Sequence, residues 1–173
     1  MPTLCDVPAP GGVQFDPADA DANLAEMLDR LVASGLRPDA LLFTGDLTDR
    51  GDAAAYERLR ELVTPAADAL GCEVVWAAGN HDDRRAMRSE LGLAGAGDEP
   101  IVEVRWFGGM RVIVVDSTVP GAHWGEVPSS QLERLEGELS TAAPQGTPLL
   151  DRLHESLAPD PALADALSAI ADE

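Results

Sequence analysis

Val74–Arg84 reads VVWAAGNHDDR: an apolar run stops at Gly79 and gives way to an amide, an imidazole and two carboxylates at consecutive positions, Asn80 to Asp83. Upstream, Asp39–Asp52 (DALLFTGDLTDRGD) follows the same plan, an apolar run and then Gly45 with Asp46, Asp49 and Asp52. Short continuous apolar segments of this kind are the pattern of strands covered on both faces. In open α/β sheets ligands gather where strands end, because loops and helix starts expose polar groups there. The polar residues after both runs carry hard oxygen or imidazole groups, the donors that suit Mg²⁺, Mn²⁺ or Fe²⁺. Taken one at a time the same residues have plainer readings. Asp49, Asp52, Asp82 and Asp83 each suit a helix cap or simple solvation, and a single histidine such as His81 suits a structural role.

Working outward, Asp21–Ser34 places Leu24, Met27, Leu28 and Leu31 on one helical stripe, ended by Gly35 and Pro38. Ala53–Leu70 has helical spacing through Tyr56, Leu59, Leu62 and Val63, with Pro65 expected to kink or divide it. Val102–Phe107 and Arg111–Asp116 flank Gly108–Gly109 and read as a hairpin. Ser129–Leu139 opens on a serine cap and carries Leu132, Leu135 and Leu139 on one face, and Leu149–Ile170 is helical with breaks at Pro159 and Pro161. Alternating strands and helices followed by a hairpin predict an α/β layered architecture whose first half is mostly parallel.

A chain of 173 residues, 45% hydrophobic, is sized for one domain with a real core. Its 31 acidic and 12 basic residues give a formal charge of −19, a field that repels nucleic acid and anionic membranes and favours cations. Cys5 and Cys72 have no metal-binding or disulfide spacing, which suits a reducing compartment. No apolar segment approaches the roughly 18 residues that span a bilayer. A cytoplasmic protein without a nucleic-acid or membrane partner is the expectation.

The two strand-end clusters resemble signature blocks of the calcineurin-like metallophosphoesterases. Gly45–Gly51 (GDLTDRG) fits G-D-x-x-D-x-G at every fixed position and Gly79–Asp82 (GNHD) fits G-N-H-[DE]. DADANL, GLRPDALLFTGDLTDRGDAAAYERLR and DSTVPGAHWGEVPSSQLERLEGEL (Asp116–Leu139) are similar in texture to the bacterial cyclic-nucleotide phosphodiesterase branch, so the likeness covers about three quarters of the chain. The resemblance implies an αββα sandwich and a two-metal mechanism. In it a hydroxide bridging two divalent ions (Mn²⁺, Fe²⁺/Fe³⁺ or Mg²⁺) attacks phosphorus. By motif match, Asp46 would bridge the ions, Asn80 would offer its amide oxygen to one of them, and His81 would face the leaving-group oxygen as general acid. His123, beside Trp124 in the loop PGAHWGE, is a candidate substrate contact. The implied substrate is a small phosphodiester, a 3′,5′-cyclic nucleotide above all, and a homodimer fits the branch.

The family pattern is incomplete within these residues. Asp6, 40 positions before Asp46, falls where the D-x-H block begins, but Pro8 takes the histidine's place and the strand leading to Asp6 is curtailed to MPTLC. After Thr147 the sequence runs PLLDRLHESLAPDPALADALSAIADE, as if a histidine-bearing strand had been removed, and G-H-x-H does not occur. His154 is read as a solvent-facing helical residue. The expected organisation is therefore a partial metallophosphoesterase domain over 1–147 with a helical tail, 148–173, of the same domain. Asp46, Asn80 and Asp6 are its metal-ligand candidates, holding one ion or none where the family holds two. The missing strands are expected to leave an unpaired edge near Arg111–Asp116. Three readings stay open: a phosphodiester-hydrolysing enzyme, a degenerate relative that acts as a binding module, and a truncated fragment of an active enzyme.

Overall fold

The computed structural model describes residues 17–107 and 109–141. In order, these form α1 (Pro17–Ala33), β1 (Ala40–Thr44), α2 (Ala53–Leu70), β2 (Glu73–Ala77), α3 (Arg84–Leu91), β3 (Glu103–Phe107), β4 (Met110–Val114) and α4 (Ser129–Ser140). Asp6, His154 and the tail 148–173 lie outside the described residues.

β1 and β2 pair in parallel, from Ala40 against Glu73 to Thr44 against Ala77, so both apolar runs end at the same level. β3 and β4 form the expected antiparallel hairpin, Glu103 opposite Val114 and Phe107 opposite Met110. Alternation along β1 and β2 shows why their sequences are apolar throughout. Leu41, Phe43, Val74 and Trp76 pack into the cluster formed with α1, α2 and α3, around Leu28, Tyr56, Leu59, Val63 and Met87. Ala40, Val75 and Ala77 face the opposite way, into a second cluster with Phe107, Val112 and Val114 of the hairpin. A period of two thus serves two cores at once. Arg111, which neighbours Val112 on β4, hydrogen-bonds the Glu138 and Thr141 carbonyls at the end of α4. A cation there meets the negative end of the helix dipole. The layers run helices, parallel pair, hairpin, helix, an α/β arrangement consistent with the expected αββα order. Each sheet has two strands among the described residues, so β4 has no strand partner on its other edge there. An apolar cleft bordered by Leu42, Val75, Ala77, Val112 and Val114 opens between the two sheets.

Two expectations about the helices need correction, and one helix was not anticipated. The first helix begins at Pro17, four residues before Asp21, because Pro17 suits a first helical turn, where an N–H has no partner in any case. Pro65 does not divide α2: it lies on the exposed side, where water can satisfy the freed carbonyl, while Val63, Ala66, Ala67 and Leu70 remain packed. The eight-residue α3 went unread. Its RRAMRSEL is short and arginine-rich, but Ala86, Met87 and Leu91 pack into the main core, Asp83 caps its start, accepting from the Ala86 amide at 2.8 Å, and Gly92 ends it in the left-handed conformation.

Candidate functional site

Because β1 and β2 are parallel and in register, the chain leaves both at one end and the GDLTDRG and GNHD loops lie side by side. The approach is close enough to dictate residue type. A Cβ on Gly79 would strike the backbone nitrogen and Oδ1 of Asp46, so only glycine lets the two loops meet there. Gly51, at φ +68°, would carry a Cβ 2.6 Å from that of Asp83. Asp46 itself adopts φ +49°, a left-handed conformation that aspartate tolerates better than most residues but that still costs about 1–3 kcal/mol.

The loops bring Asp46, Asn80 and His81 together, all partly buried. Asp46 Oδ1 accepts from the His81 amide at 3.2 Å. On the His81 ring, Nδ1 lies 2.9 Å from the Asp49 carbonyl oxygen and 3.7 Å from its carboxylate Oδ1. A carbonyl can only accept, so this contact places the proton on Nδ1 and leaves Nε2 as the ring atom free to take up or release one. The His81 side chain is 37% exposed, enough for a substrate to reach it.

Asp82 is neither a cap nor solvated. Its carboxylate accepts from the Leu47 amide at 3.1 Å, the Thr48 amide at 3.3 Å, the Gly79 amide at 2.8 Å and the Tyr56 hydroxyl at 2.8 Å. The same hydroxyl accepts from the Asp83 amide at 2.9 Å. Burial pushes the Asp82 carboxyl above the ordinary carboxylate range, and the nearby Asp46 charge adds to this. The donated hydrogen bonds from Gly79, Leu47 and Tyr56 oppose it without overcoming it. Burial, with the Asp82 charge second, raises the Tyr56 hydroxyl far out of the physiological range, so it stays a donor.

Asn80 also lines a polar cavity walled by Asp82, Asp83, Arg84, Asp98 and the turn Thr118–Gly121. Arg84 is held there by the fully buried Asp116, Nε to Oδ2 at 2.8 Å and Nη2 to Oδ1 at 3.2 Å. Asp116 also accepts from the Ile101 amide and from the Thr118 amide and hydroxyl. His123 is exposed, two residues beyond Gly121, and is not among the residues that wall the cavity. Sequence reasoning grouped Asp49 and Asp82 with the strand-end polar residues, with a cap or solvation as their plainer roles, and passed over Arg84 and Asp116. The partners of these residues lie some thirty positions away, and no local pattern marks them.

Among the described residues no group of three or more His, Cys, Asp or Glu side chains is placed to hold a metal ion. Asp46 and Asn80 offer oxygens of the right chemistry but fall short of the roughly three or four protein ligands that define a metal site.

A histidine with its proton-exchanging nitrogen free, set beside a carboxylate and an amide on paired strand-end loops, is an arrangement suited to phosphoester hydrolysis. The calcineurin-like phosphoesterase family matches residues 16–165, and the chain belongs to it. Over 136 residues it is 49% identical to a probable cyclic nucleotide phosphodiesterase of Rhodococcus erythropolis, an overlap covering 79% of this chain and 45% of that protein. It is 50% identical over 133 residues to the cAMP/cGMP dual specificity phosphodiesterase MT0825 of Mycobacterium tuberculosis, covering 77% and 42%. With the 3′,5′-cyclic adenosine monophosphate phosphodiesterase CpdA of Pseudomonas aeruginosa it shares 31% identity over 134 residues, covering 78% and 46%. The chain thus spans under half the length of these curated relatives. The family generally uses divalent metals. No helix among the described residues is long and apolar enough to cross a membrane.

Proposed function

We propose that this chain carries the Asp46–Asn80–His81 part of a metal-dependent phosphodiesterase site, with 3′,5′-cyclic nucleotides as its substrates. The observation that carries the reading is the His81 ring: Nδ1 is engaged by the Asp49 carbonyl, leaving Nε2 to exchange a proton, while the His81 amide binds Asp46. Opening the cyclic diester expels a ribose oxygen that needs a proton. An imidazolium with Nδ1 fixed presents that proton at Nε2, a contribution of about 10²–10⁴-fold for a well-placed general acid. In the two-metal route, bound divalent ions would supply a hydroxide and neutralise phosphate charge. Asp46 and Asn80 are the donors this chain would give them, and Asp6 is a third candidate. Asn80, being neutral, adds a ligand without adding charge that would repel a phosphodiester. His123 remains a candidate contact for the substrate. The proposed setting is cytoplasmic, with a small phosphodiester as partner and a homodimer as assembly.

The shortage of donors among the described residues favours a second reading, a relative that binds a partner without turnover, or a fragment of an active enzyme. One experiment separates them: hydrolysis of 3′,5′-cAMP and 3′,5′-cGMP by the full chain in Mn²⁺, with bound ions counted per chain. Turnover with bound metal supports the enzyme. No bound metal and no turnover removes that reading and leaves the binding module or the fragment.

A further inference from the structure

Asp46 holds a strained left-handed backbone, and the ladder that would anchor it ends two residues earlier, at Thr44 and Ala77. Strain of this kind persists only where surrounding bonds over-determine the backbone. The two residues that follow Asp46, Leu47 and Thr48, both donate their amides to one carboxylate, that of Asp82, 35 and 34 positions away. That carboxylate also accepts from Gly79, whose Cα is pressed against Asp46. A third element fixes the carboxylate in place. Tyr56, fully buried on α2, donates its hydroxyl to Asp82 Oδ1 and accepts from the Asp83 amide, so it touches both residues that follow His81.

We propose that Asp82, braced by Tyr56, is a positioning residue: it clamps the Asp46 turn onto the Asn80–His81 turn and so keeps the Asp46 carboxylate on the His81 amide. It touches no reacting atom in this arrangement. Its relevance to catalysis rests on the phosphodiesterase reading above, whereas the clamp stands on the hydrogen bonds alone. Both the side chain's reach and its four acceptor contacts are needed. An amide in its place would turn one accepting oxygen into a donor that faces N–H groups.

The test is amide hydrogen exchange, residue by residue, on the full chain and on Asp82→Asn and Tyr56→Phe, with cyclic-nucleotide turnover measured alongside. In Asp82→Asn the Leu47, Thr48 and Gly79 amides lose their acceptor directly. The positioning role predicts that the His81 amide, which binds Asp46 and not Asp82, also exchanges faster, by about 10- to 100-fold. The amides of Leu59 and Val63 in α2 keep their wild-type rates. Tyr56→Phe removes one donor and leaves the rest, and is expected to produce the same pattern at a smaller factor. It decides the matter if Asp82→Asn does not fold. Where wild type turns over, kcat falls in step with the His81 exchange while KM stays within about twofold. An unchanged His81 rate in the variant that folds overturns the proposal. So does an equal acceleration at Leu59 and Val63, which would make Asp82 a general stability residue. Absence of turnover in wild type with the exchange pattern intact overturns the phosphodiesterase reading and leaves the clamp standing.

Discussion

Two carboxylates that follow strands, Asp82 after β2 and Asp116 after β4, solve the same problem in opposite ways. Each collects several donors from distant parts of the chain. Asp116 is fully buried and is neutralised by the Arg84 guanidinium, with the Ile101 and Thr118 amides completing its shell. Asp82 has no cation among its hydrogen-bond donors; these are amides and a tyrosine hydroxyl, and it stands near the negative charge of Asp46. The difference separates two tasks. Around Asp116 charge is cancelled and the hairpin, α3 and the Thr118–Gly121 turn are locked together. Around Asp82 no cation donates: amides and a hydroxyl hold the carboxylate, and they tie the two strand-end loops to each other.

Breaking the Asp116 side should cost most in stability. Asp116→Ala leaves the Arg84 guanidinium buried with only carbonyls for partners, and Arg84→Ala leaves a buried carboxylate without a cation. Removing one member of such a pair costs about 3–5 kcal/mol, read as a lower urea midpoint with little change in slope. Gly79→Ala comes next and acts on the other side. Its methyl collides with Asp46 backbone, so the loops must separate, at about 1–3 kcal/mol in urea unfolding. Unlike the Asp116 variants, it is expected to lower phosphodiesterase activity beyond what its stability loss explains. Asp83→Ala removes the α3 cap and should cost about 1 kcal/mol by the same measurement. The smallest effect is electrostatic. The Arg85 side chain hydrogen-bonds Asp98 and holds its carboxyl below the ordinary range. A group depressed in the folded state adds stability above its unfolded value of about 3.9, and that stability is lost as pH falls through the folded value. Arg85→Ala should therefore lower stability slightly at neutral pH and leave it unchanged once Asp98 is protonated in both states, which flattens the acid limb of a stability–pH curve below about pH 4.

The parallel pair was legible in the sequence because burial on both faces demands a continuous apolar run, and ALLFT and EVVWA have one each. The placement of Asp46, Asn80 and His81 followed from the same runs, since a strand end is a fixed point whatever the loop does. α3 was harder to see. Its eight residues hold three arginines and a single turn-spaced apolar pair, Met87 and Leu91, too short a stripe to stand out, and the flanking Asp83 and Gly92 mark its limits. Asp82 was misread as a cap or a solvated acid for a different reason. Its donors come from Leu47, Thr48 and Tyr56, which reach it only after α2 folds back across the sheet. The Arg84–Asp116 pair, 32 positions apart, leaves no periodic trace at all. Local pattern reports what a residue does to its own element, and these residues act between elements.

The central claim is that the Asp46 and His81 loops form a working phosphodiesterase surface. Its most direct test is the rate of 3′,5′-cAMP hydrolysis in Mn²⁺ by the full chain, by Asp46→Ala and by His81→Ala, each shown to be folded by circular dichroism. The expected result is measurable turnover by wild type and a loss of about 100-fold or more in each variant. No turnover by wild type, or equal rates in all three proteins, would contradict it.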